Sequence, residues 1–514
     1  MKAKSKKEMI FQVTSKKEKV KNMGFKARNS LLVNSAIFAF LLFTFCVVPV
    51  KAQEQPPTPS APRSAKIPAV VEKMLPNGLK VAIVERKNVP LVTVELLVKR
   101  GASWESLEKA GLANLTAQML TKGTKTRSAS QIAEQVEFLG GSISTAAGWN
   151  NSVVQITVTN DKLDKAMAIL ADLVLNPAFK QEELDLLKSQ TLDGLAYNLK
   201  QPGFLANYVA AKYSYDEHPA GGTPESLNAI QRTDIVAFHD DFYKTANSVL
   251  IFTGDIAAVQ ANALAQKYFG VWKKPPVEKI LRSLPLNSPS KDAKLVNRLL
   301  VVDLPDSGQA SVNYSKKVKA GRVNALSNFY YASVLNSVLG GGYSSRLNQE
   351  IRIKRGLSYG AGSSFAWRFG ESNFGTRTQT KNESAAEVAE LVLAELQRLS
   401  DSNVPANELA PRKLVLTGDF GRDLETTVGL ADKVGELYSF DLPATEMNNF
   451  ISNVEAVSDS QIKEFSEAFL RGGDLIIVGD YKVFKEDLAK RFPNMKIEVV
   501  EAGQLDLSKD NLRK

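Results

Sequence analysis

The chain has 514 residues, 44% of them hydrophobic and 23% charged, which describes a folded protein too long for one ordinary core. Its formal charge of +10 would suit nucleic acid, but residues 1–52 hold 11 Lys and Arg against 2 Asp and Glu, a net of +9, and the remainder carries only +1. A nucleic-acid partner is therefore not expected, and the single cysteine, Cys46, excludes an internal disulfide and a cysteine-bound zinc.

The N-terminal segment reads as an export signal. Basic residues from Lys2 to Arg28 precede the apolar run Ala36 to Phe43, and Val50-Lys51-Ala52 sets small residues where a signal peptidase reads. Residues 1–52 are thus expected to be a signal peptide, cleaved after Ala52, on a periplasmic or otherwise exported protein. The alternative is a membrane anchor formed by residues 31–50, which approach spanning length. Met23 is a second candidate start. Residues 53–66, rich in Pro, Gln and Ser, predict a flexible mature N-terminus.

Residues 67–273 form a first half. Pro76-Asn77-Gly78 marks a turn into a strand over Leu79 to Glu85, and Leu91 to Lys99 alternates as a second strand. Next comes Gly111-Leu-Ala-Asn-Leu-Thr-Ala-Gln-Met-Leu-Thr-Lys-Gly-Thr124. This stretch resembles the active-site helix of the pitrilysin/insulinase family, which includes the mitochondrial processing peptidases. The family pattern is Gly-x-x-His-x-x-Glu-His-Met followed by Lys-Gly-Thr. Gly111, Met119, Lys122, Gly123 and Thr124 match it.

The resemblance places Asn114 and Gln118 where two His would bind zinc, and Ala117 where a Glu would activate water. Neutral amides are poor zinc ligands beside imidazole, and a methyl group takes no proton. The family's third ligand, a Glu, falls at Gly194, with Asp193 beside it; a lone Asp193 carboxylate would not hold a catalytic zinc. No intrinsic activity and no cofactor in this chain are therefore expected. Gly140 to Gly148 resembles the family's substrate-receiving edge strand, which makes Ser142, Ser144 and Thr145 candidate peptide contacts. His218 and His239 read as structural, and Glu217, Asp240 and Asp241 as a solvated face.

A Pro-rich linker over 274–293 leads to a second half, 294–514. The halves read as repeats. Val249 to Asp255 matches Leu475 to Asp480 as a buried strand entering a turn, and helices are expected at Ala166 to Leu175 and Ala386 to Leu399. Leu339-Gly340-Gly341-Gly342-Tyr343 lacks the Gly-Lys-Ser/Thr ending of a phosphate loop. It leads instead to Arg352 and Tyr359, whose spacing matches the Arg–Tyr pair of the family's C-terminal half. By resemblance this pair binds substrate near the scissile carbonyl; the bland alternative is a surface ion pair of Arg352 with Glu350.

The fold expected is α+β: two homologous halves, each a mixed or antiparallel sheet packed with helices, in a clamshell around a chamber. Family members of this size work as pairs of chains. This implies a substrate-binding partner subunit of a heterodimeric zinc peptidase, degrading or processing peptides in the cell envelope. The implied partners are unfolded peptides and a paralogous subunit with an intact motif, which would hold the zinc. Membrane contact is expected only if the signal stays uncleaved. The competing reading is a stand-alone peptide-binding or scaffold protein.

Overall fold

The computed structural model describes residues 67–273, 294–323 and 326–514. The expected signal peptide, flexible N-terminus and linker fall outside the described residues.

The first half contains six strands: β1 (Val71–Met74), β2 (Lys80–Glu85), β3 (Leu91–Val98), β4 (Ser142–Ala147), β5 (Ser152–Thr159) and β6 (Ser248–Gly254). Its helices are α1 (Leu112–Met119), α2 (Ala129–Phe138), α3 (Leu163–Leu175), α4 (Gln181–Asn198), α5 (Pro202–Tyr213), α6 (Pro224–Ala229), α7 (Arg232–Phe242) and α8 (Ala258–Phe269). The second half has β7 (Val296–Asp303), β8 (Ala310–Val318), β9 (Ala361–Ala366), β10 (Ser372–Thr380), β11 (Gly473–Gly479) and β12 (Ile497–Glu501). Between them run α9 (Leu326–Leu339), α10 (Ala385–Asp401), α11 (Ala406–Asp423), α12 (Thr427–Ser439), α13 (Phe450–Ala456), α14 (Asp459–Phe465) and α15 (Tyr481–Arg491).

The strand orders are β1-β2-β6-β3-β5-β4 and β12-β7-β11-β8-β10-β9. The inner pattern repeats: β2 runs parallel to β6 and β7 parallel to β11, and the strands beyond them are antiparallel in both sheets. The sixth strand differs. β1 joins antiparallel from the N-terminal side, whereas β12 joins parallel from the C-terminal side. The α+β, two-half fold is as the sequence indicated.

Each sheet is covered on one face by its own helices and on the other by a helix from the opposite half. Leu430, Ala431 and Val434 of α12 pack on Val84, Leu97, Val249 and Ile251 of the first sheet. Reciprocally, α5 packs on β8 and β11, and Ile476, Val478, Leu300 and Val302 join the core of the first half. Each such Leu, Ile or Val stabilises the fold by about 1.5–3 kcal/mol on full burial. The crossings also bury β3 on both sides from Val92 to Val98.

Candidate functional site

The helix that carries the degenerate motif is built as a sound structural element. Gly111 precedes α1 with φ of +94°, a left-handed conformation that glycine adopts without steric cost. The buried carboxylate of Glu105 then accepts the Gly111 N–H at 2.7 Å and the Ala113 N–H at 2.6 Å, binding donors that the first turn leaves free. Burial pushes this carboxyl up to about 7, against the pull of those N–H donors. His218 Nδ1 lies 3.6 Å from Glu105 and its ring stands 5.0 Å from Trp149. Sequence reasoning missed Glu105, because it lies six residues ahead of Gly111 and fits no capping spacing.

On α1, Asn114 and Gln118 are half-buried and Ala117 is fully buried. Asn114 and Gly194 line one cavity of about 680 Å³, which places α4 opposite α1 at the aligned third position. Asp193, Ala117 and Gln118 are not in its wall. A Cβ built on Gly194 meets nothing within 4 Å, so the glycine leaves open space. Of the aligned positions only Asn114 and Gly194 face this space, one amide and no side chain. This donor set does not fit zinc.

His218 sits in the same wall, with Glu217. Glu217 does not belong to a solvated face, as its sequence context suggested. It pairs with Arg368 at 3.2 Å and accepts Asn373 Nδ2 at 2.8 Å, both from the second half. His239 lies away from the cavity, its Nε2 2.9 Å from the Val174 carbonyl oxygen.

A second cavity, of about 1000 Å³, holds Arg352, Tyr359, Tyr343 and the Gly340 to Gly342 turn. Phe204, Asn207 and Arg377 line both cavities, so the two spaces adjoin at the junction of the halves. Tyr359 is 91% exposed, and its hydroxyl has no hydrogen-bond partner among the described residues. Arg352 lies over the Tyr343 ring, 5.0 Å from its centroid. The alternative of a pair with Glu350 fails, because Glu350 is engaged by Lys354 and by Arg355 at 2.7 Å.

The glycine turn has a steric role. The Gly340 carbonyl accepts the Ser363 N–H at 3.1 Å, and a Cβ on Gly340 would collide with that nitrogen. Asn348 Oδ1 receives the Ala361 N–H at 3.3 Å. Together they cover the outer edge of β9. The corresponding edge, β4, has only β5 beside it among the described residues. Ser142 and Ser144 share its exposed face, while Thr145 lies half-buried on the other side, next to Ile143 and α1.

Comparison with known proteins identifies the family and the fold. The family model described as Insulinase (Peptidase family M16) matches residues 80–212, and that described as Peptidase M16 inactive domain matches residues 229–414. An uncharacterized zinc protease of Rickettsia felis is 25% identical over 389 residues, covering 74% of this chain and 91% of its own length. One of Bacillus subtilis is 24% identical over 358 residues, covering 68% and 83%. A solved structure from Pseudomonas fluorescens, described as a peptidase M16 inactive domain, superposes with TM-score 0.72 at 24% identity and covers 80% of this chain and 98% of that one. A protease from Helicobacter pylori gives TM-score 0.72 at 20% identity, covering 80% and 100%. Matched in both halves by sequence and over both sheets by fold, the chain belongs to the insulinase (M16) peptidase family.

Proposed function

We propose that this chain is the substrate-holding, non-catalytic member of a two-chain zinc peptidase of the cell envelope. The observation that carries the reading is the contrast between the two cavities. One presents Asn114 and Gly194 where the family binds metal; the other keeps Arg352 and Tyr359 with donors free. A paralogous partner would bring the zinc and the water-activating carboxylate. This chain's guanidinium and phenol would hold the peptide in register and donate to the oxygen on which charge develops. The open β4 edge, with Ser142 and Ser144 outward, supports main-chain capture of an extended peptide.

The test is reconstitution. The chain is mixed with a co-purifying paralogue that carries an intact His-x-x-Glu-His helix, and peptide cleavage is measured for each chain and for the mixture. Cleavage only by the mixture supports the reading. Cleavage by this chain alone, or one tightly held zinc per chain after dialysis, overturns it. A paralogue that cleaves equally well without this chain would favour a stand-alone peptide-binding protein, for which the open β4 edge also speaks.

A further inference from the structure

The two arginines of the larger cavity differ from the other arginines near it. Arg346 forms a two-point pair with Glu408 at 2.8 Å, Arg368 pairs with Glu217, and Arg355 with Glu350. Arg352 and Arg377 have no carboxylate partner among the described residues, and the cavity they share has no Asp or Glu in its wall. Two guanidiniums therefore face this cavity without a counter-charge in its wall, and Glu217, in the adjoining wall that Arg377 also lines, is taken by Arg368.

The internal repeat shows how Arg377 came to be free. In the first half, Glu95 of β3 lies opposite Ile251 on one side and Gln155 on the other, and the Gln155 amide donates to the Glu95 carboxylate at 2.9 Å. In the second half the place of Glu95 is taken by Asn313, which lies opposite Ile476. Arg377 falls at the place of Gln155 on β10, between Gly375 opposite Ser315 and Thr378 opposite Val312. Asn313 is itself held by Ser311 at 3.0 Å and by Asn207 at 3.2 Å. The strand pair thus carries a cation where its counterpart carries an amide, and an amide where its counterpart carries the acid.

Arg377 is also aimed correctly. Along β10 its burial alternates, so Arg377 and Gln379 are exposed while Thr376 and Thr378 are buried. The exposed face looks toward α5, because Gln379 lies against Gly203. Phe204 on that helix is exposed in the same space, stacked on Tyr208 at 5.8 Å. An aromatic surface beside an unpaired planar cation suits the apolar stem and charged head of a peptide side chain.

We propose that this cavity reads a carboxylate on the peptide, with Arg377 as its specificity-determining residue and Arg352 as the second cation of the same wall. The ligand class is a peptide with an acidic side chain or a free C-terminal carboxylate, since either presents the two oxygens a guanidinium fork binds. The inference rests on the reading of the chain as a peptide holder and adds the charge of what it holds.

The experiment uses the purified chain and four fluorescent octapeptides, which carry Glu or Gln at one position and a free acid or an amide at the C-terminus. Binding is read by anisotropy, for wild type and for Arg377→Gln, with thermal melting as the fold check. The expected result is about tenfold tighter binding of the carboxylate-bearing peptide, weakening with salt and lost in Arg377→Gln, while the uncharged peptide binds both proteins alike. Preference for Glu over Gln assigns the side chain; preference for acid over amide assigns the terminus. Equal binding of all four peptides overturns the inference and leaves the peptide-holder reading standing. Charge preference retained in Arg377→Gln overturns the assignment to Arg377. No binding of any peptide overturns both.

Discussion

The two sheets repeat one inner strand order but end differently. At the edge of the first, β4 has no covering segment among the described residues and turns Ser142 and Ser144 outward. At the edge of the second, β9 is covered by Gly340 and Asn348, which take up the Ser363 and Ala361 N–H groups. The same contrast recurs where the halves cross. Under α12 the first sheet buries Glu95, which lies within reach of the Asp432 charge and whose carboxylate fits because Gly435 has no side chain. Under α5 the matching place of the second sheet holds the neutral pair Asn313 and Asn207, and the buried Asp474 on the neighbouring strand is neutralised by Arg298 at 2.7 Å. A repeated backbone therefore fixes hydrogen-bond topology without fixing chemistry. One half keeps an open edge and a closed acidic crossing; the other closes its edge and leaves its cations facing the cavity.

The largest effect is expected at the cations. In the reconstituted pair, Arg352→Ala or Tyr359→Phe should cut peptide cleavage about a hundredfold, the usual consequence of losing one donor to a developing oxyanion, or about 3 kcal/mol. Asn114→Ala should change it little, because its half of the comparison has no chemistry left to lose. Steady-state rates with the dimer verified by size decide this. Unchanged rates in paired Arg352 and Tyr359 variants would make the chain a scaffold.

The acidic crossing should respond next. Burial pushes Glu95 from an ordinary 4.5 up to about 7, and Asp432 is also raised, chiefly by burial. A carboxyl raised on folding contributes stability that is full below its unfolded value and is lost as pH climbs through its folded value. The protein should therefore melt at a higher temperature at pH 5 than at pH 8. Glu95→Gln should recover about 3 kcal/mol at pH 8 and reduce this dependence, since a tenfold difference in proton affinity between the folded and unfolded states is worth about 1.4 kcal/mol, while Glu105, also pushed up to about 7, keeps its own share. Asn313→Asp supplies the converse: an acid at the neutral crossing, next to Arg377, should add no such loss at pH 8. Identical pH profiles for wild type and Glu95→Gln would refute the assignment.

The edges give the smallest effect. Gly340→Ala puts a methyl group against the Ser363 nitrogen and should cost about 1.5 kcal/mol, with faster amide exchange at Ser363. Gly148→Ala, at the end of the open edge, meets only Asn151 Oδ1 at 3.9 Å and should stay within about 0.5 kcal/mol of wild type. Urea unfolding of the two variants makes the comparison, and equal costs would show that β9 is not sealed by this turn.

Much of the site was legible because it rests on local spacing. The resemblance that singled out Asn114, Ala117 and Gln118 rests on one helix pattern, and that for Arg352 and Tyr359 on one turn and a fixed interval. The place of β4 followed from the resemblance of Gly140 to Gly148 to the family's edge strand. What escaped was set by pairing at long range. Glu105 acts on backbone N–H groups of α1, and neither its residue type nor its position announces that role. Glu217 looked solvated until the second half supplied Arg368 and Asn373.

The amino-acid sequence by itself determined that the halves repeat, that Asn114, Ala117 and Gln118 share one helix, and that Arg352 and Tyr359 follow one glycine turn. These are matters of residue identity and periodicity, which folding does not alter. Only the tertiary structure decided which residues face each other across the halves. Strand register put Asn313 in the place of Glu95 and left Arg377 without an acid, and the crossing of α5 and α12 buried both faces of each sheet. Those outcomes depend on contacts between residues sixty or more positions apart, where neither spacing nor composition carries a signal.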